Sequence, residues 1–344
     1  MTTPQTISYA QRYEDIHLLR CFGEQAKGFY IDIGAGHPVY DNVSFAFYLR
    51  GWNGITVEPN PWLAQLSAAV RPRDHRIQSL VGLAAGEATY YLVKHFHGLS
   101  TTVASHAQAA QAEFGEAAQK LTVPVTTLAA LCEQHAPGAI DFLKVDVEGA
   151  EPDVLGGNDW RRFRPKVVVV EALAPLTMKP SWEAWEAILT ANDYGFAFFD
   201  SLNRYYVAQE HRALAERLAA EPASNQGVVK FSDFRKALDD SSHPDHRLAT
   251  LLAGTDMVRV PLLEADALVE CLTAALAKAE LEKTVDAAAL ALAHERLFGG
   301  APSPGWIAGL ALPHGATVGD LYRRIVTSEP FRAACGRISA SYAW

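Results

Sequence analysis

Asp32 stands two residues before Gly34 in Phe29-Tyr30-Ile31-Asp32-Ile33-Gly34-Ala35-Gly36, an apolar run that passes into a glycine turn. Such a turn at a strand's carboxyl end lets a ligand approach the backbone closely. A pyrophosphate brought there would be repelled by the nearby carboxylate, whereas the ammonium and sulfonium of S-adenosylmethionine are complementary to it. The third glycine of a dinucleotide fingerprint is also missing, because Pro38, Val39 and Tyr40 occupy that region. A second acid, Glu58, ends Gly54-Ile55-Thr56-Val57. A carboxylate at the end of a second strand can accept hydrogen bonds from both ribose hydroxyls. Asp32, Gly34, Gly36 and Glu58 are therefore candidate cofactor-binding residues.

Farther along, Phe142, Lys144, Asp146 and Glu148 alternate with Leu143, Val145 and Val147. A strand over Ile140–Val147 puts the charges on one face, toward the end where open α/β sheets bind ligands. A lysine inside such a run must be paired, so a structural ion network with Asp146, Glu148 or Glu171 competes with a catalytic reading. Transfer of a methyl group from a sulfonium to a hydroxyl is an in-line displacement in which opposite charges vanish, so alignment and a dry pocket matter most. A general base helps, since an alcohol hydroxyl is a very weak acid. Asp146, Glu148 and His37, which follows the glycine turn, are the candidate catalytic groups. Glu171 ends the next expected strand and can reach the same crevice. His95 and His97 have the spacing of a metal-holding pair, but no third ligand stands near them, and no metal site is expected. A carboxylate-bound Mg2+ that acidifies the hydroxyl is the alternative.

These side chains need a sheet to hold them. Phe29–Ile33, Gly54–Val57, Ile140–Val147 and Lys166–Val170 read as buried strands of a parallel sheet covered on both faces. Glu87–Val93 reads as an extra strand. Phe196–Phe199 and Tyr205–Ala208 flank a turn and read as a closing antiparallel hairpin. Trp182 and Trp185 have the spacing of a buried helix face, with stacking on a sugar ring as the functional alternative. The polar stretch Asp239–Asp245 reads as a linker. Beyond it the pattern is helical, over Leu262–Lys283 and Val285–Phe298. Two domains are expected, residues 1–238 and 239–344.

Composition narrows the partners. The formal net charge of −9 argues against nucleic acid, and the longest basic stretch, Arg161–Lys166, reads as a solvated loop before an apolar strand. The four cysteines form no close pair, which suits a reducing cytoplasm. The first twenty residues contain no apolar signal core, and no run approaches a membrane span.

The chain resembles the FkbM family of methyltransferases over roughly residues 8–235. The resemblance is carried by Ser8–Asp15, Asp32–Pro38, Asp41–Ser44, Gly51–Asn60, Asp141–Glu151 and Asp200–Val207, six segments in order, with Lys144, Asp146, Glu148, Gly149 and Glu151 as the sharpest marker. It departs at Gly36, where the family often has Asn, and around Gln78–Gly82, where the match is loose. It implies a Rossmann-like class I methyltransferase sheet, mostly parallel with one antiparallel strand, followed here by a small all-helical domain. It also implies S-adenosylmethionine as cofactor, with Gln11, Ser44 and Ser79 joining the cofactor contacts, and a sugar hydroxyl of a bacterial glycan or glycosylated metabolite as acceptor. A methyltransferase of a non-sugar small molecule, a cofactor-binding protein without turnover, and a nicotinamide oxidoreductase are the competing readings. The last is disfavoured by Asp32 and the missing glycine.

Residues 285–337 resemble, more loosely, a helical domain of unknown function found beside glycosyltransferases. No catalytic cluster is visible there, and the segment reads as a module for a protein partner or self-association.

Overall fold

The structure, a computed structural model, describes residues 6–93, 97–174, 177–219 and 227–343. Two compact units are defined by their internal contacts. One holds the chain up to Gln65 and Arg73–Lys230; the other holds Leu66–Pro72 and the chain from Phe231 onward.

The strands of the first unit are β1 (Thr6–Ser8), β2 (Phe29–Ile33), β3 (Asn53–Val57), β4 (His75–Ile77), β5 (Leu80–Val81), β6 (Gly86–Leu92), β7 (Gln119–Thr126), β8 (Phe142–Val145), β9 (Val167–Glu171), β10 (Tyr194–Phe199), β11 (Asn203–Ala208) and β12 (Val228–Lys230). Seven of them form the main sheet in the order β10-β11-β9-β8-β2-β3-β4. The pairs from β9 through β4 are parallel, and β11 runs antiparallel to both β9 and β10. The expected closing hairpin is therefore present, with a register shift between Phe196 and Phe198.

Apolar residues on both faces explain why the central strands are buried. Ile31, Ile33, Leu143, Val145, Val168 and Val170 pack into one core with Leu128, Leu131, Val154 and Trp185. Tyr30, Phe142, Val167, Val169, Tyr205 and Val207 pack into another with Leu18 and Phe22 of the helix Glu14–Phe22. A parallel sheet covered in this way leaves its strand ends as the place for polar chemistry. Between β4 and β8 the chain inserts a three-stranded sheet of order β5-β7-β6 and the helix Ala104–Phe114.

Three expectations need correction. The strand expected over Ile140–Val147 ends at Val145. Asp146 still donates its N–H to the Ile33 carbonyl at 3.0 Å, but Glu148 turns to φ 55°, so the two-residue alternation stops before the acids. The helix expected over Leu262–Lys283 is broken into Ala265–Thr273 and Lys278–Leu281. The stretch Asp239–Asp245 is no open linker. His243 and Asp245 are buried, and Asp245 takes a two-pronged ion pair from Arg337 at 2.6 and 2.7 Å. The two units part at Lys230 and Phe231, ahead of the expected boundary.

The second unit is helical among its described residues. Its core joins Leu248, Leu252, Leu268, Leu272, Leu297, Leu321, Ile325, Phe331 and Ile338. Thr317 caps the helix Val318–Thr327 with a reciprocal bond to Asp320.

Candidate active site

The glycine turn leaves β2 at Gly34, which has φ 74°. Gly34 and Ala35 both donate to the Val57 carbonyl at 3.0 Å, which ties the turn to β3. A Cβ on Gly34 would lie 1.7 Å from the Asp146 carbonyl oxygen, so the turn after β2 and the loop after β8 touch through backbone alone. Gly36 also has positive φ, at 60°, but a Cβ there would meet nothing within 4 Å. Asn42 holds the far side of the turn by donating to the carbonyls of Ala35 and His37 at 2.9 and 3.2 Å.

Asp32 lies beneath the turn with no exposed surface. Ser44 Oγ donates to its Oδ2 at 2.5 Å, and Lys144 Nζ stands 3.7 Å from its Oδ1. Oδ1 has no hydrogen-bond partner among the described residues. The Asp32 charge is thus met from below by Lys144, which also reaches Asp146 Oδ2 at 3.1 Å and donates to the Gly34 carbonyl at 2.9 Å. Burial works against the Lys144 charge, but Asp146 and Asp32 outweigh it and push the ammonium pKa above the ordinary lysine value.

Glu58 follows β3. Its two oxygens accept from Gly36 N at 2.9 Å and Asn60 N at 2.8 Å. Burial pushes its pKa up to about 7, against those two bonds. A carboxylate has lone pairs beyond two, so capacity for ligand hydroxyls remains. Ser79, between β4 and β5, is buried and its Oγ has no hydrogen-bond partner among the described residues.

The acids beyond β8 and β9 form the other half of the site. Asp146, Glu148 and Glu171 each offer an oxygen, and these lie within 4.8 Å of one another. Burial raises the pKa of Glu148 well above the usual carboxylate range; Asp146 and Glu151 add to this, while Lys144 opposes it. Glu171 is raised by burial and by the charges of Asp146, Glu148 and Glu151. Glu151 caps the loop by accepting from Val147 N and Gly149 N at 3.2 and 3.1 Å.

Two expected site residues stand differently. His37 is buried, and its Nδ1 accepts from the N–H groups of Val39 and Tyr40 at 3.2 and 3.1 Å. The ring proton therefore sits on Nε2, which makes His37 a donor in this arrangement, where a base was expected. Gln11 is exposed, and only its carbonyl is engaged, by Lys230 Nζ at 2.9 Å. Among the described residues no contact joins its side chain to the turn. His95 lies outside the described residues, as does the side chain of His97.

Periodicity pointed to none of the inserted residues that meet the site. Tyr90 of β6 is buried, and its phenol pKa is raised by burial and then by Glu58 and Glu148. Thr101 Oγ1 donates to the Glu148 carbonyl at 2.9 Å, and His106 Nδ1 lies 3.2 Å from the same oxygen. Tyr90 stands between exposed Thr89 and half-buried Tyr91, a signal for one buried face but not for what it faces. Trp185 is fully buried in the core, while Trp182 stacks on the Arg204 guanidinium at 4.0 Å.

Residues 32–198, which carry the glycine turn, Glu58 and the carboxylates beyond β8 and β9, match a methyltransferase family model. That model is described as the methyltransferase FkbM domain. The match supports the FkbM family for this segment; it implies a class I methyltransferase fold, and the family in general uses S-adenosylmethionine. No curated protein matches the chain.

Proposed function

We propose that the protein is an S-adenosylmethionine-dependent O-methyltransferase acting on a sugar hydroxyl of a bacterial glycan or glycosylated metabolite. The observation that carries this reading is the backbone contact between Gly34 and Asp146, which brings the glycine turn and the carboxylate group to one point. The residues fit the cofactor. Asp32 Oδ1 and Ser79 Oγ are buried polar atoms without hydrogen-bond partners among the described residues, and Gly36 borders open space. When bound, S-adenosylmethionine supplies the activated methyl group.

In this reading Glu58 and Ser79 hold the ribose side, and the Gly34–Gly36 backbone admits the cofactor closely. Asp32 acts through Lys144 and the turn, setting the charge beneath the cofactor. Asp146 takes the hydroxyl proton; Lys144 orients it at 3.1 Å. Glu148 and Glu171, whose oxygens lie within 4.8 Å of Asp146, stand ready to take up the proton it carries. Ser44 and His37 position the turn. The sugar acceptor rests on the family resemblance, and we assign the helical unit to engagement of a partner or a second copy. We place the enzyme in the cytoplasm, where free cysteines such as these four persist as thiols. No helix among the described residues is long and apolar enough to cross a membrane.

Calorimetry with S-adenosylmethionine and with NAD tests the cofactor, and transfer of a labelled methyl group to a panel of glycans tests the acceptor. Binding of NAD in place of S-adenosylmethionine would sink the reading. Label found only on non-sugar hydroxyls would remove the sugar.

A further inference from the structure

We propose that Asp146, Glu148 and Glu171 bind one hard divalent cation, Mg2+ or Mn2+, beside the glycine turn. Three carboxylate oxygens within 4.8 Å of one another fit a single ion. Opposite oxygens in an octahedral Mg2+ or seven-coordinate Ca2+ shell stand about 4–5 Å apart. The ligands are all carboxylates, which suits a hard ion and not Zn2+ or copper.

Glu148 supplies the second observation. Its Oε2 is closed off from solvent and has no hydrogen-bond partner among the described residues. An acceptor buried in that way costs free energy unless something meets it. Lys144 does not: its ammonium is engaged by the Gly34 carbonyl and Asp146, with Asp32 at 3.7 Å. Protons shared among the acids would relieve their repulsion and still add no second positive charge. A cation between the three satisfies the orphaned oxygen and the surplus charge together. Each of the three side chains is half-buried, so an ion can enter from solvent and keep water ligands on its open side.

For its chemistry this proposal rests on the methyltransferase reading. An acceptor hydroxyl that replaced a bound water would be acidified by the ion, with Asp146 as ligand instead of sole base. Binding itself does not depend on that reading.

The test is Mn2+ titration of the full chain, followed by loss of the free-ion electron paramagnetic resonance signal, with Mg2+ as competitor. One Mn2+ per chain is expected, displaced by Mg2+, and Glu148→Gln and Glu171→Gln should each weaken uptake at least tenfold. A second readout needs no variant: bound Mn2+ should broaden the wild-type amide signals of Val147 and Gly149 before those of β4, three strands from β8 in the same sheet. No uptake, uptake unchanged in both variants, or broadening centred elsewhere overturns the proposal. S-adenosylmethionine binding by a protein that ignores Mn2+ removes the cation site and leaves the methyltransferase reading intact. Mn2+ uptake without S-adenosylmethionine binding does the reverse.

Discussion

Lys144 of β8 donates to the carbonyl of Gly34 at 2.9 Å, so the cation of one strand is built into the glycine turn of its neighbour. Removing the amine strands the buried Asp32 and releases the turn. Lys144→Met should cost about 3–5 kcal/mol of stability, as when one partner of a buried ion pair is lost. Adding Asp32→Asn should restore part of that loss. Urea titration of both single variants and the double variant measures the coupling, and strictly additive losses would refute the pairing.

The two glycines of the turn should behave differently. Gly34→Ala drives a Cβ into the Asp146 carbonyl, so it should unfold the first unit or separate the two loops. Gly36→Ala meets open space and carries only the cost of a left-handed backbone, about 1–2 kcal/mol. Thermal melts of the two variants check the order, which cannot reverse if the contact is real.

Ser79→Ala separates binding from folding. Its hydroxyl has no hydrogen-bond partner among the described residues, so the variant should melt like wild type. Under the proposed function it should bind S-adenosylmethionine more weakly by about 0.5–1.5 kcal/mol, one hydrogen bond. Glu58→Ala should lose about 1.5–3 kcal/mol of affinity and some stability, because Gly36 N and Asn60 N lose their acceptor. Calorimetric titration separates the two effects.

Stability should fall from weakly acid to weakly alkaline pH. Burial raises Glu14 from 4.5 to about 8, Glu58 from 4.5 to about 7 and Asp15 from 3.8 to about 6. Each therefore binds its proton more tightly when folded, and the stability this contributes is full below pH 4 and lost as pH rises through 6 to 8. Melting temperatures recorded from pH 5 to 8.5 should decline. A rise across that window would contradict the burial of these acids.

In the helical unit, Arg337→Ala leaves the buried Asp245 without its partner and should cost about 3–5 kcal/mol. Its effect should be confined to the unfolding of that unit, read by circular dichroism beside wild type.

Much of the sheet was legible from the sequence because its strands are short, β-branched and buried on both faces, as Val167–Val170 shows. The glycine turn and Glu58 were legible for the same reason: they stand where apolar runs stop. Alternation misled over Asp146 and Glu148, because the chain leaves the strand after Val145 and Glu148 adopts a left-handed backbone ahead of Gly149. The pair Glu148-Gly149 carried that signal. Asp239–Asp245 looked like a linker because polarity alone cannot reveal that Arg337, far away in sequence, neutralises Asp245. His37 was read from its position, whereas its role follows from two backbone donors that no residue spacing encodes.

The register shift in β10 has a further consequence. Among the described residues this strand is the last of the seven-stranded sheet, paired with β11 on one side, and an edge of that kind carries backbone groups ready to template another chain. Phe196 and Phe199, both about half exposed, would make such an edge sticky. The irregularity at Ala197 breaks the row of evenly spaced donors and acceptors and adds local twist. Arg204 lies 4.2 Å over the Phe196 ring and keeps a charge against that apolar surface. The flaw in the ladder thus acts as a guard against fibril-like stacking of one molecule on the next.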